Sequence, residues 1–545
     1  EHACMHRSPM PPRLTLTELV RSVSHEGSHE RLRCFWQKLQ SAGASSNSSV
    51  RVGVVGGSVS AGRSTGIAHD QSGLFHRMIQ RWLQLLFPNT TITHFNAAMP
   101  AVPPHYLEHC LELHVPHDAD LIFVEAAANL CGKDFCADGL ASVERIVRRL
   151  LDYPRRPALV FVHTFSFQRA NRSLAWPHHD KNRLRTDSSP WLIHSDLQFE
   201  FHRSAWSGPA NEDLLDTLAK YYSLPSVSIR DVIFHAMKTN SSFHGYRLTD
   251  LYYDRLHPSA SGHAILAQAL KFVMMRAKRL QDELSRMSSQ METATDTAAN
   301  ACMEIRLQPL PTPMHNGLQQ PRMECHDAES MMKQGLVESE NCHGWVYTVE
   351  RSKWTGVPKP GWIASTAGAR CIFAYALPSP SSVLAANGAN KVGVAFLRSY
   401  LHMGRISLEC TYQCSCPRTT IDGWWNLSFS PIEVVYIPVT VGLDTTSADL
   451  GLVHSSRTPR RCGLQMTILN DTSSGGHKFK VAGMFINRLN ETDFVGRYII
   501  SQAMALKGHN AIEDSLEKRR RGIKAKMLSR RRKKANQKKK GSTSL

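Results

Sequence analysis

Hydrophobic and polar positions change rhythm twice along the 545 residues of this chain. Residues 1–50 are polar, with a helix-like stretch over 14–39 and a Ser-rich link over 41–49. From Arg51 onward, short apolar runs predict strands at 51–56, 91–95, 121–125, 158–163 and 226–229. Between and after them, apolar residues at helical spacing predict helices at 71–87, 104–114, 139–151, 211–222 and 259–287. This alternation implies an α/β fold, a mainly parallel sheet covered by helices in three α/β/α layers. Residues 164–207 show no clear period, and a stretch that long reads as a lid, a binding loop or a disordered insertion. Residues 288–323 are rich in Thr, Ala, Gln and Pro and read as a linker. Beyond them come short apolar pieces at 345–349, 371–376, 392–397, 432–441, 464–469 and 480–486, punctuated by Gly, Trp and Ser. These predict an all-β, sandwich-like domain. The expected organisation is an N-terminal extension (1–49), an α/β domain (50–287), a linker (288–323), a β-rich domain (324–502) and a basic, disordered tail (503–545). No internal repeat is visible.

Charge changes this picture only at its end. The formal net charge is +19, but residues 518–540 hold fourteen Lys or Arg and no acid, which leaves +5 for the rest. The tail has no interleaved aromatics, so it offers charge attraction without base readout. If the chain is secreted, anionic glycan is a more natural partner for it than nucleic acid, and a plain solvated tail is the simplest reading. Thirteen cysteines, eight of them from Cys302 onward, are many for a reducing compartment. Seven of nineteen asparagines begin Asn-X-Ser/Thr: Asn47, Asn89, Asn171, Asn240, Asn426, Asn470 and Asn490. With a first residue that is not Met, these features point to a secreted or lumenal protein whose signal peptide has been removed. No apolar stretch is long enough to predict a membrane span.

Candidate chemistry gathers in two stretches. Arg51-Val-Gly-Val-Val-Gly-Gly-Ser-Val-Ser-Ala-Gly62 reads as a buried strand ending in a sharp turn at Ser58. Such a turn sits where open α/β sheets keep their binding crevice. It is either a plain turn or the seat of a nucleophile, and a serine needs a neighbouring base to become one. The spacing also imitates a phosphate-binding loop, but Arg63 stands where that loop needs lysine. The second stretch, Tyr252-Tyr-Asp-Arg-Leu-His-Pro-Ser-Ala-Ser-Gly-His263, carries Asp254 and His257 before a predicted helix. Taken alone, it is a surface turn. With Ser58 it supplies a base and an acid to orient that base. Gly56-Gly57-Ser58-Val59-Ser60 lacks the last glycine of the α/β-hydrolase nucleophile elbow.

These blocks, in this order, resemble the SGNH hydrolase superfamily, the GDSL-type esterases, over about residues 50–285. Gly56-Gly57-Ser58 matches the nucleophile block, and Asn96-Ala97-Ala98 falls on the block with the oxyanion glycine. Glu125-Ala-Ala-Ala-Asn129 falls on Gly-X-Asn-Asp, and Asp254-Arg-Leu-His257 on Asp-X-X-His. The resemblance implies a catalytic set of Ser58, Asp254 and His257. It also implies an oxyanion hole from the Ser58 N–H, the Ala98 N–H and the Asn129 amide, with no metal and no cofactor. Ala98 in place of glycine and Leu130 in place of aspartate depart from the pattern. The β-rich half is similar to extensions carried by SGNH-type proteins of green algae.

The implied reaction is hydrolysis of a carboxylic ester, an O-acyl group on a small molecule or polysaccharide, through a Ser58 acyl-enzyme. Acyl transfer to a sugar hydroxyl would use the same residues. A glycan-binding protein without turnover is the non-enzymatic alternative. Cys131 and Cys136 flank the Asn129 region, as a disulfide or as two buried thiols. His178, His179 and Asp180 match no zinc spacing and read as solvated loop residues. Trp345, Trp354, Trp362, Trp424 and Trp425 form either a sugar-stacking platform or core, and 396–404 faces either a ligand or the first domain.

Overall fold

The computed structural model describes residues 11–44, 49–62, 71–130, 137–165, 211–240, 242–253, 256–290, 302, 309–315, 323–351, 358–377, 390–426, 430–441 and 460–487. The stretch 164–207, except Thr164 and Phe165, and the whole basic tail therefore lie outside the described residues. So do the Cys131/Cys136 pair and His178, His179 and Asp180.

The first sheet has six strands: β1 (Val23–His25), β2 (Ser49–Gly56), β3 (Thr91–Ala98), β4 (Leu121–Glu125), β5 (Ala158–His163) and β6 (Ser226–Ser228). Their order is β1-β6-β5-β4-β2-β3. All neighbours from β3 to β6 run parallel, and β1 closes the far edge antiparallel to β6. Chain order reverses direction between β2 and β4, so a crevice opens at their carboxyl ends. Side chains alternate across the sheet, as period-2 geometry requires. Val52, Val54 and Phe123 pack with Trp36, Phe75, Ile79 and Leu270, which come from the helices Glu30–Ala44, Phe75–Leu86 and Ala260–Gln290. Val55 and Val124 point the other way, towards the helices Pro104–His109 and Ala137–Leu151.

Several expectations need correction. The stretch 14–39 is not one helix. It forms Leu16–Arg21, then β1, then Glu30–Ala44, broken where Gly27 takes φ +68° against the backbone of Pro225. Nor does it stand outside the α/β layers. Trp36 is fully buried, donates Nε1–H to Met274 O (2.8 Å) and meets the Trp82 ring at 6.0 Å. The 104–114 helix divides at Cys110, whose cap ends Pro104–His109. Within 288–323, Cys302 is disulfide-bonded to Cys34, and Met314 N–H donates to the buried Glu144 carboxylate (2.6 Å). Where it is described, this segment is docked on the α/β domain.

The second half forms two antiparallel sheets from β7 (Met323–Asp327), β8 (Trp345–Arg351), β9 (Pro358–Ala364), β10 (Arg370–Leu377), β11 (Asn390–Leu397), β12 (Arg405–Tyr412), β13 (Cys414–Ser415), β14 (Thr419–Asp422), β15 (Ile432–Val441), β16 (Arg460–Ile468) and β17 (Phe479–Asn487). One sheet is ordered β10-β16-β12-β14; the other runs β13-β15-β11-β17-β9-β8, with β7 also paired to β17. Phe373, Ile406, Leu408 and Leu464 of the first meet Val394, Phe396, Val439 and Phe479 of the second in one core. The all-β sandwich is thus observed. Sequence reading missed β7, β9, β12, β13 and β14. Pro358, Pro360 and Gly361 mask β9, and β12 mixes polar with apolar positions.

The halves are fastened directly. Cys110 is disulfide-bonded to Cys325, the Tyr436 hydroxyl is hydrogen-bonded to His109 Nε2, and the Tyr106 and Phe485 rings meet edge-on at 5.6 Å. The Trp36→Ala variant should lose about 3–5 kcal/mol of unfolding free energy, read from urea denaturation. A loss below about 1 kcal/mol would show that the N-terminal segment is not part of this core.

Candidate active site

The turn after β2 is built by close approach from β4. Gly56 pairs in register with Glu125. A Cβ added at Gly57 would lie 2.3 Å from Asn129 Nδ2, and one at Gly56 would lie 2.7 Å from Glu125 O. Two glycines are therefore required for Glu125, at the end of β4, and Asn129, in the turn after it, to come this close beneath the Ser58 turn. Ala61 N–H donates to Gly57 O (3.1 Å) and Gly62 N–H to Val59 O (3.0 Å), which folds the chain back just past Ser58.

Ser58 Oγ lies 2.7 Å from His257 Nε2, and both side chains are almost fully buried. Residues 199 positions apart are thus brought into hydrogen-bond contact, the arrangement a serine needs before a base can activate it. His257 is fixed by its own loop: Tyr253 N–H donates to His257 O (2.9 Å), and Ser259 N–H donates to Leu251 O (2.8 Å) ahead of the long helix. Asp254 lies outside the described residues. Asn129 stands where its amide can face the turn. Its Nδ2 is buried and has no hydrogen-bond partner among the described residues. Ala98 ends β3 beside Gly56, but its N–H already donates to Asn96 Oδ1 (3.0 Å).

Glu125, part of a sequence block but assigned no role by the resemblance, is central here. Its Oε2 accepts from Gly57 N–H (3.0 Å), Ser60 N–H (3.4 Å) and Ser60 Oγ–H (3.2 Å), while Oε1 accepts from Thr164 Oγ1–H (3.3 Å). Burial pushes its carboxyl up to about 7, against the pull of these donors. On the other side, Ser60 O accepts from Asn96 Nδ2–H (3.1 Å) and His76 Nε2–H (2.9 Å). With its Nε2 protonated, neutral His76 accepts at Nδ1 from His94 Nε2–H (2.8 Å). Burial pushes His76 down to about 4 and His94 to about 2, so both are neutral at physiological pH. His76 lies on one amphipathic helix and His94 on a strand, and nothing in the sequence marks them as a pair.

The tryptophans divide. Trp345 is buried against Phe373 and Phe479, and Trp362 packs on Phe373, so these two are core. Trp424 and Trp425 are half-buried; Trp424 Nε1–H donates to Tyr400 O (3.2 Å), and Arg398 stacks over Trp425 at 5.5 Å. Trp354 lies outside the described residues. Near this cluster, Ile432 N–H donates to Ala101 O (3.0 Å), tying the β-rich half to the loop that follows Ala98.

Among solved structures, the chain is similar to a two-domain esterase active on acetylated mannans. The TM-score is 0.54 at 14% identity, covering 87% of this chain and 99% of that one. A structure of such an esterase co-crystallised with mannopentaose aligns with the same TM-score and identity, over 87% and 98%. The likeness spans both halves and establishes a shared two-domain fold. No protein-family model matches the chain, and no curated protein sequence matches it.

The raised carboxyl has a consequence for stability. The folded state holds the Glu125 proton more tightly than the unfolded chain does, so this group costs stability as pH climbs from 4.5 to about 7. Glu125→Gln cannot titrate. Its stability relative to the wild type should rise across that window by roughly 3 kcal/mol, seen in urea unfolding at pH 4.5 and 8. A difference that does not change with pH would mean that Glu125 is not perturbed.

Proposed function

We propose that this chain is a serine esterase of the SGNH type that removes O-acyl groups from carbohydrate. The observation that carries the proposal is the 2.7 Å contact between Ser58 Oγ and His257 Nε2 at the carboxyl end of β2. In this reading His257 takes the Ser58 proton as Oγ bonds to the ester carbonyl carbon. The tetrahedral oxyanion is met by the Ser58 N–H and by Asn129 Nδ2–H, the buried donor without a partner among the described residues. Ala98 N–H joins them only by leaving Asn96 Oδ1. His257 then protonates the departing sugar oxygen, and the C–O bond to the alcohol breaks. Water, deprotonated by His257, then attacks the Ser58 ester carbon; the Oγ–C bond breaks, His257 returns the proton to Ser58 Oγ, and the acid is released. Asp254 is assigned to orient His257, on the strength of the Asp-X-X-His spacing.

Carbohydrate is favoured as the alcohol because an esterase sharing this two-domain fold acts on acetylated mannans. An extracellular setting agrees with the bonding: all ten cysteines among the described residues are paired, as five disulfides. The sequon asparagines Asn89, Asn426 and Asn470 are exposed, as glycosylation requires. No described helix is long and apolar enough to cross a membrane.

The decisive experiment is intact-mass detection of a fluorophosphonate adduct. One adduct should form on the wild type and none on Ser58→Ala. Asn129→Ala should keep its fold and lose roughly 10²–10³ in kcat towards 4-nitrophenyl acetate. A folded wild type that takes no adduct would refute serine catalysis.

A further inference from the structure

The acyl-transfer steps use Ser58, His257 and Asn129 but leave the Glu125 carboxyl beneath them without a task. Its Oε2 accepts from the N–H groups of Gly57 (3.0 Å) and Ser60 (3.4 Å), which stand on either side of the serine. The Ser60 hydroxyl meets the same oxygen (3.2 Å), and the Thr164 hydroxyl, just past β5, meets Oε1 (3.3 Å). Two anchors that flank one residue fix the path of the chain between them. They therefore set the direction of the Ser58 N–H and the point from which its side chain departs.

Resting on the esterase reading, we propose that Glu125 is a positioning residue for Ser58 and that it serves as a neutral carboxylic acid, with Oε2 on the flanking N–H groups and its proton held towards Thr164. The partners decide where that proton can sit. The two N–H groups on Oε2 can only donate, so a proton on that oxygen would face them. The Thr164 hydroxyl donates to an ionised carboxylate but can also turn to accept, so Oε1 is the oxygen free to carry the proton. In that form Oε2 keeps its hold on the turn.

A charge at this place would oppose the reaction. Gly57 gives its N–H to Glu125, and a Cβ on the same residue would lie 2.3 Å from Asn129 Nδ2. The carboxyl and the proposed oxyanion donors thus gather around one glycine, whereas His257 meets Ser58 at the outer end of its side chain. A carboxylate here repels the forming oxyanion more than it steadies the imidazolium. Among the described residues no cation is bonded to Glu125 to offset its charge. The titratable groups that border its partners are histidines besides His257: neutral His76 donates to Ser60 O (2.9 Å), and His163, next to Thr164, is bonded to Asp216 instead (2.9 Å). Burial raises the carboxyl to about 7, so the neutral form persists towards neutral pH.

The test is kcat and KM for 4-nitrophenyl acetate between about pH 5.5 and pH 8.5, in the wild type, Glu125→Gln and Glu125→Ala. Glutamine copies the neutral acid, since its carbonyl can take the N–H groups while its amide donates to Thr164. The Gln variant's kcat/KM divided by the wild type's should rise about tenfold across this range, as the wild-type carboxyl ionises. The midpoint of that rise should fall at about 7. His257 is common to both proteins, so its own titration largely divides out. At about pH 6, Glu125→Ala should lose roughly 10²-fold in kcat with little change in KM, and Glu125→Gln should recover most of that loss. Thermal melting and the fluorophosphonate adduct report whether each variant is folded with Ser58 active. A ratio that stays flat or falls with pH, in folded and labelled proteins, overturns the proposal. So does a Gln variant as slow as the Ala variant at low pH; if the Ala variant does not fold, the pH ratio decides. A folded wild type that takes no adduct at any pH instead overturns the esterase reading beneath it.

Discussion

The site depends on one constraint: two strand ends must approach more closely than side chains normally allow. β2 and β4 are hydrogen-bonded neighbours, and Gly56 and Gly57 let the side chains of Glu125 and Asn129 slide under the turn that holds Ser58. Glu125 then grips the backbone on both sides of the serine, at Gly57 and Ser60. Any Cβ at Gly57 would displace the Asn129 amide and reshape the turn itself. The proposed nucleophile, the proposed oxyanion donor and the carboxyl that grips the turn are thus a single packing solution.

The polar groups around this turn are buried against neutral hydrogen-bond partners. Glu125 is met by neutral donors, not by a cation, which is why burial raises its carboxyl so far. His76 and His94 are kept neutral, and their mutual hydrogen bond sets which nitrogen faces Ser60. One helix layer away the opposite choice is made. Glu108 and Arg145 keep their charges by pairing, and Arg145 holds the Glu108 carboxyl below its usual range despite burial. Such a pair adds little net stability over apolar packing but tolerates few geometries. The charged pair fixes helix spacing, while the neutral network shapes a turn.

The β-rich half acts on the same region from outside. Its disulfide to Cys110 and its ring contacts to Tyr106 and His109 land on the helix that also carries Leu107 and Glu108. Through Ile432 it also touches Ala101, three residues beyond the end of β3. The sandwich is therefore in a position to brace one wall of the crevice as well as to border it.

Much of this architecture is legible in the amino-acid sequence. Strands such as 121–125 and 158–163 are unbroken apolar runs, and their alternation with amphipathic stretches allows few arrangements other than a parallel sheet with two helical faces. Ser58 and His257 can be named because turn glycines and the Asp-X-X-His spacing are local in sequence. What local pattern cannot carry is anything decided by long-range packing. The edge strand β1 is three residues long and gains its identity only from β6, some two hundred positions away. The raised Glu125 carboxyl, the His76–His94 pair and the engaged Ala98 N–H all arise where separate elements meet. Periodicity determined the layers and the turn, because burial of an apolar face is read residue by residue. The distances that give the turn its chemistry were settled only by tertiary contact, because desolvation and hydrogen bonding depend on what the rest of the chain brings alongside.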